Sequence, residues 1–201
     1  MDATAFSAAA IFLVLATRAV LLGRVPNTLD GRSDSLWTSA LGELGGWRLL
    51  PVVTLGVASA ISYLGRRANA VYLVAAVGGV GCLSFGAKLL LQPLGAANEG
   101  PLADFPSTHA ACTAAFAIAL AIVVCRASQN ALARILTVCG ATALTIAMAA
   151  ARVIDGRHSV AEAVGGLTLA VAWLVAFDRL WHRPDIVAFR GRVDTTTGGT
   201  A

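Results

Sequence analysis

Six stretches of this chain are apolar for long enough to approach the thickness of a bilayer: residues 4–23, 49–65, 70–93, 107–125, 135–151 and 159–178. A helix needs about 20 mostly apolar residues to cross the hydrocarbon core. The pattern therefore predicts an all-α, six-transmembrane-helix integral membrane protein. The first run is longer and more weakly flanked than a cleaved signal peptide. No internal repeat and no soluble domain interrupt the series. The expected organisation is one membrane domain over residues 1–181, followed by a polar tail over 182–201 that ends in "TTTGGTA" and reads as disordered.

One loop has a pattern of its own. In "SLWTSALGELGGW", Leu36, Trp37, Ala40, Leu41, Leu44 and Trp47 recur at roughly helical spacing. Two readings fit: an amphipathic helix lying in the membrane interface on tryptophan anchors, or a short helix packed within the loop.

Composition strengthens the membrane reading. Hydrophobic residues make up 57% of the 201 positions, only 13% are charged, and the mean hydropathy is +0.75. The net charge of +4 would suit a nucleic-acid partner, but in a membrane protein basic loops record topology, and no nucleic-acid role is expected. With six spans both termini share one side, which carries Arg66, Arg67, Arg126, Arg134, Arg179, Arg183, Arg190 and Arg192. The other side carries Arg24, Arg32 and Arg48, together with Lys88, Arg152 and Arg157, which lie beside candidate chemistry. By the positive-inside rule the termini are cytoplasmic and the face bearing residues 152–158 points outward from the cell membrane. Cys82, Cys112, Cys125 and Cys139 fall within apolar runs without a CxxC pair and read as small core residues.

Charges at membrane depth are costly and tend to be functional. Lys88, the only lysine, closes the third run; Ser107 and His109 open the fourth in "PSTH"; Arg152 closes the fifth; His158 and Glu162 open the sixth in "ARVIDGRHSVAE". Because successive spans alternate in direction, all four places belong to the same membrane face. Lys88 and Arg152 supply fixed positive charge for phosphate oxygens. A helix opening at Ser107 offers backbone N–H groups to an anion. His158 and Glu162 are four apart and share a helix face, so the carboxylate can hold one ring proton and free the other nitrogen to attack. His109 is the second imidazole at this face, and an imidazole can act as nucleophile or as acid at neutral pH. Asp155 reads as a turn residue, Glu99 and Asp104 as solvated loop acids, and His182, beyond the last span, has no assigned role.

At these residues the chain resembles the type 2 phosphatidic acid phosphatase family, which shares its helical core with vanadium haloperoxidases. That family carries K-x6-R-P, then P-S-G-H, then S-R-x5-H-x3-D. Here Arg152, His158 and Glu162 keep the third spacing, Pro106 to His109 give the second, and Lys88 gives half of the first. The resemblance covers residues 70–178. It implies that His158 attacks phosphorus, that His109 protonates the leaving group, and that Lys88, Ser107, Thr108 (through its backbone N–H) and Arg152 bind the phosphoryl oxygens, with no metal and no other cofactor. The chain departs from the pattern at Glu162 (family Asp), Thr108 (family Gly), Ala151 (family Ser) and Gly95–Ala96 (family Arg–Pro). Arg157, Arg18 and Arg24 are the candidates to replace the missing arginine, and the sequence does not choose among them.

The resulting expectation is a membrane phosphatase that acts on a phospholipid or polyprenyl phosphate or diphosphate through a phosphohistidine. Transfer from lipid to another acceptor, and non-catalytic binding or transport of a lipid phosphate, are the rival expectations. A haloperoxidase is disfavoured because a lipid-buried chain suits a lipid substrate.

Overall fold

The computed structural model describes residues 36–46, 48–91, 105–184 and 186–187. These form six helices: α1 (Leu36–Leu44), α2 (Leu49–Tyr63), α3 (Arg67–Leu91), α4 (Thr108–Ala127), α5 (Ala131–Ile154) and α6 (Val160–Trp181). Among the described residues there is no strand. The apolar run at 4–23, the loop around Gly95 and most of the expected tail lie outside them.

α3, α4, α5 and α6 are each long and apolar enough to cross a membrane. α2 is not. Its 15 residues reach only about 22 Å at 1.5 Å per residue, so the run at 49–65 gives a shorter apolar helix than the sequence pattern suggests. The cause is local. Gly65 takes φ +75°, the Arg66 N–H donates to the Ile61 carbonyl and the Gly65 N–H to the Ser62 carbonyl. That pair of bonds is a Schellman stop, and α3 starts directly after it.

α4 is the centre of the bundle. It packs on α3, α5 and α6, and its inward residues are mostly alanine: Ala110, Ala111, Ala114, Ala115, Ala117 and Ala119 are all buried. Lipid chains are as apolar as leucine, so helices in a bilayer associate by close packing of small residues. α5 shows the converse, with Leu132, Ile135, Leu136, Val138 and Ile146 exposed along its outer side.

α1 is a packed helix lying on α5. Thr38 is fully buried. A side chain at Gly42 would reach an Arg152 guanidinium nitrogen, and one at Gly45 would collide with Met148 and Thr113. The face turned inward is thus Thr38, Gly42 and Gly45, whereas Ala40, on the apolar stripe read from sequence, is exposed. This supports the packed reading of the segment.

The two ends of the bundle differ. At one, Arg126 holds Asp178 through two contacts of 2.7 and 3.0 Å, and Tyr72 donates to the same carboxylate at 2.9 Å. Phe177 and Trp181 pack on the Tyr72 ring. This clamp joins α3, α4 and α6. The opposite end holds the charged residues singled out above.

Candidate active site

The spacing between Arg152 and His158 is a turn made by glycine. α5 ends with Arg152 in its last turn and is capped by Asp155. Gly156 then takes φ +65°, a conformation that costs glycine nothing. The chain reverses there, and the His158 N–H donates to the Arg152 carbonyl at 3.1 Å. The last turn of α5 and the start of α6 are tied by backbone, and both side chains are buried.

α6 begins with a capping box. Ser159 is the N-cap, its hydroxyl accepts the Glu162 N–H at 3.2 Å, and a Glu162 carboxylate oxygen accepts the Ser159 N–H at 3.1 Å. The same oxygen, Oε2, lies 2.9 Å from His158 Nδ1. A carboxylate only accepts, so Nδ1 carries the proton and Nε2 is left with its lone pair. The cap thus fixes the carboxylate, and the carboxylate fixes the imidazole. At the third position of the helix a glutamate reaches back to both partners, which gives the longer side chain at 162 a physical use.

α4 starts at the same level. The Ser107 N–H donates to the Glu162 carbonyl at 3.0 Å, and its hydroxyl caps α4 by accepting the Ala110 N–H at 3.5 Å. Ser107 is fully buried. The Thr108 hydroxyl lies 3.0 Å from that of Ser84 on α3, one turn before Lys88. Where the family pattern has glycine, this chain has a threonine tethered to α3.

The crossing of α4 and α6 depends on Gly166, where a Cβ would run into the Ser107 carbonyl oxygen and stand 3.1 Å from the Ala111 nitrogen. Both are backbone atoms and neither can swing away. Gly166→Val should therefore separate the helix starts that carry His109 and His158, at a cost of about 1–3 kcal/mol for overpacking. A lower melting temperature in detergent and loss of activity are expected. Gly140→Ala on α5, where a Cβ meets nothing, should change neither.

These constraints bring Lys88, Thr108, His109, Arg152 and His158 to one cavity of about 790 Å³. Arg157 is also in its wall. The rings of His109 and His158 have centroids 6.4 Å apart. Both rings border the same cavity, so a group held there meets both imidazoles. Ser107 and Glu162 do not line the cavity; one caps α4 and the other stands behind His158.

The cavity continues away from the charges into an apolar lane. Leu50, Pro51 and Leu55 of α2 form one side, and Val74, Val77 and Gly78 of α3 the other. Gly78 leaves open space where a side chain would be. A second, polar cavity of about 380 Å³ lies beneath α1, with Thr38, Glu43, Arg48 and Asp155 in its wall. It shares His109, Arg152 and Arg157 with the first.

Several of these residues were not found by sequence reasoning. Ser159 was readable, because "SVAE" is a capping-box spacing. Ser84 lies four residues before Lys88, on the same helix face. Glu43 and the packing role of Gly166 had no local signal. Of the three candidates to replace the missing arginine, Arg157 is in the cavity, and Arg18 and Arg24 lie outside the described residues.

A bundle of helices long and apolar enough to cross a membrane thus carries two histidines, a buried carboxylate and clustered cations at one end. Residues 91–185, which hold α4 to α6 and every candidate residue except Lys88, match the model of the PAP2 superfamily, which is consistent with a membrane protein of that family. Its members are phosphatases, which supports a hydrolase acting on phosphate esters. No curated protein and no solved structure matches the chain.

Proposed function

We propose that the protein hydrolyses a lipid-linked phosphate or diphosphate, of the phosphatidate or polyprenyl kind, through a phosphohistidine. The observation that carries this reading is the continuity of one cavity, from the cation and histidine cluster into the apolar lane between α2 and α3. A headgroup phosphate and a hydrocarbon chain on one molecule fit such a cavity, whereas a free phosphate ester leaves the lane unused.

In this mechanism Lys88, Arg152 and Arg157 hold the phosphoryl oxygens, and charge developing there meets donors already in place. The Thr108 backbone N–H at the start of α4 adds a further donor. His158 Nε2 forms a bond to phosphorus as the bond from phosphorus to the lipid oxygen breaks. His109 gives that oxygen its proton. Water then attacks the phosphohistidine, returns a proton to His109 and releases inorganic phosphate and free His158. Glu162 keeps the Nδ1 proton throughout and steadies the positive charge on the ring.

The site end of the bundle is assigned to the outer face of the cell membrane. The opposite end carries Arg66, Arg67, Arg126, Arg134, Arg179 and Arg183, which the positive-inside rule assigns to the cytoplasm.

The test is phosphate release by the purified protein in detergent from lipid mono- and diphosphates of graded chain length. Turnover should rise with chain length, and Gly78→Leu, which fills the lane, should abolish that dependence. Tight lipid-phosphate binding without turnover would instead support a transport or binding protein.

A further inference from the structure

We propose that the hydroxyl groups of Ser84 and Thr108 form a relay that adds one donor to the phosphoryl site: Ser84 donates to Thr108, and the Thr108 side chain donates to a phosphoryl oxygen. This rests on the reading of the large cavity as a phosphoryl site and adds to it a contact separate from the Thr108 backbone N–H.

The direction of the relay follows from counting protons. The two oxygens lie 3.0 Å apart, and a hydrogen bond between them uses one of the two hydroxyl protons. Among the described residues neither side-chain oxygen has a second partner. One proton is therefore left over, and it sits on whichever hydroxyl accepts. Ser84 is fully buried on α3, where a stranded O–H is desolvated with nothing in return. Thr108 is half-buried and lines the cavity. With Ser84 as the donor, the spare proton belongs to Thr108, at the cavity wall. With Thr108 as the donor, it is sealed inside the bundle.

The rest of the wall sets what can accept that proton. Lys88, Arg152 and Arg157 border the same cavity and are donors without acceptor atoms, so they leave the Thr108 hydroxyl to an oxygen brought by the ligand. A phosphoryl oxygen held by those cations is such an acceptor, and a hydrogen bond to a charged oxygen is stronger than one between neutral groups. Ser84 polarises the Thr108 O–H by donating to its oxygen and fixes its direction. Ser84 stands four residues before Lys88 on α3, so the bond also ties the helix that carries Lys88 to the start of the helix that carries His109. The chain has Thr108 where the family pattern has glycine, and Gly95–Ala96 where it has Arg–Pro. A side-chain donor is gained in a chain where another is lost.

The experiment measures the affinity of the full chain in detergent for vanadate by calorimetry, with melting temperatures alongside to separate a folding loss from a binding loss. Thr108→Val, which keeps the shape and loses the hydroxyl, should weaken vanadate binding by roughly tenfold or more, as for one hydrogen bond to a charged group. Thr108→Ala should weaken it equally, and Thr108→Ser, which keeps the hydroxyl, should bind close to the wild type. Ser84→Ala should weaken binding by less. Because Ser84 acts only through Thr108, adding Ser84→Ala to Thr108→Val should cost nothing more. Vanadate affinity unmoved in Thr108→Val and Thr108→Ala, with or without an earlier melt, reduces the pair to a structural tether and overturns the relay while the lipid reading stands. An additive loss in the double variant overturns it too. The expected losses in a chain that turns over no lipid phosphate support the relay and remove the lipid reading. A wild-type chain that binds no vanadate overturns the phosphoryl site and the relay with it.

Discussion

His158→Ala should abolish turnover of every phosphate ester, whereas His109→Ala should spare one class of them. The asymmetry follows from the two imidazole environments. His158 is buried, with its Nδ1 held by Glu162 at 2.9 Å, the arrangement of a nucleophile whose other nitrogen is kept free. His109 has its ring centroid 6.4 Å from that of His158 and borders both cavities, the position of a group that hands a proton to the departing oxygen. General acid catalysis contributes roughly 10²–10⁴-fold, and only when the leaving group needs a proton. His109→Ala should lose that factor on a lipid alkyl phosphate and keep much of its activity on an aryl phosphate, whose oxygen leaves as a stable anion. Steady-state kinetics on the two substrates checks this. Rescue of His158→Ala by the aryl substrate would mean that the two roles are exchanged. Rescue of neither would mean that His109 also positions the phosphate.

Glu162→Gln should lower kcat by up to roughly 10⁴-fold, the scale seen when the carboxylate behind a catalytic histidine becomes an amide, with little change in KM. The amide keeps the size of the side chain but loses the charge that stabilises an imidazolium, and it no longer dictates which ring nitrogen holds the proton. Glu162→Asp tests the reach of the side chain. One carboxylate oxygen now serves both His158 Nδ1 and the Ser159 N–H, and a shorter side chain at the third helical position cannot keep both. A lost cap costs about 1 kcal/mol, so this variant should melt earlier as well as turn over more slowly. Unchanged kinetics in Glu162→Gln with an earlier melt would leave Glu162 a capping residue alone.

The site was legible in the sequence because its residues sit at helix ends. Alternating spans put Lys88, His109, Arg152 and His158 on one face whatever the details of packing, and the structure brings those four to one cavity. The inward face of α1 was not legible. Hydrophobic periodicity chose Ala40 and Leu41, but in lipid small residues pack between helices and large apolar ones can face outward, so Thr38, Gly42 and Gly45 turn inward instead. The same inversion hid Gly166, which reads as an ordinary small residue until α4 is seen crossing it. The length of α2 was misjudged for another reason: the run at 49–65 includes the glycine that ends the helix, and apolarity alone does not mark a stop. Ser84 pairs with Thr108 through the rotation of α3 about its axis, which hydropathy does not specify.

The central claim is a covalent bond between phosphorus and His158, and trapping that bond tests it most directly. The full chain is mixed with a lipid phosphate radiolabelled in the phosphoryl group and quenched in alkali within one turnover. A phosphoramidate survives alkali and is lost in acid. The expected result is an alkali-stable, acid-labile label on the peptide containing His158, absent from His158→Ala and retained in His109→Ala with the aryl donor. A label on a different residue, or full turnover by His158→Ala, would contradict the account.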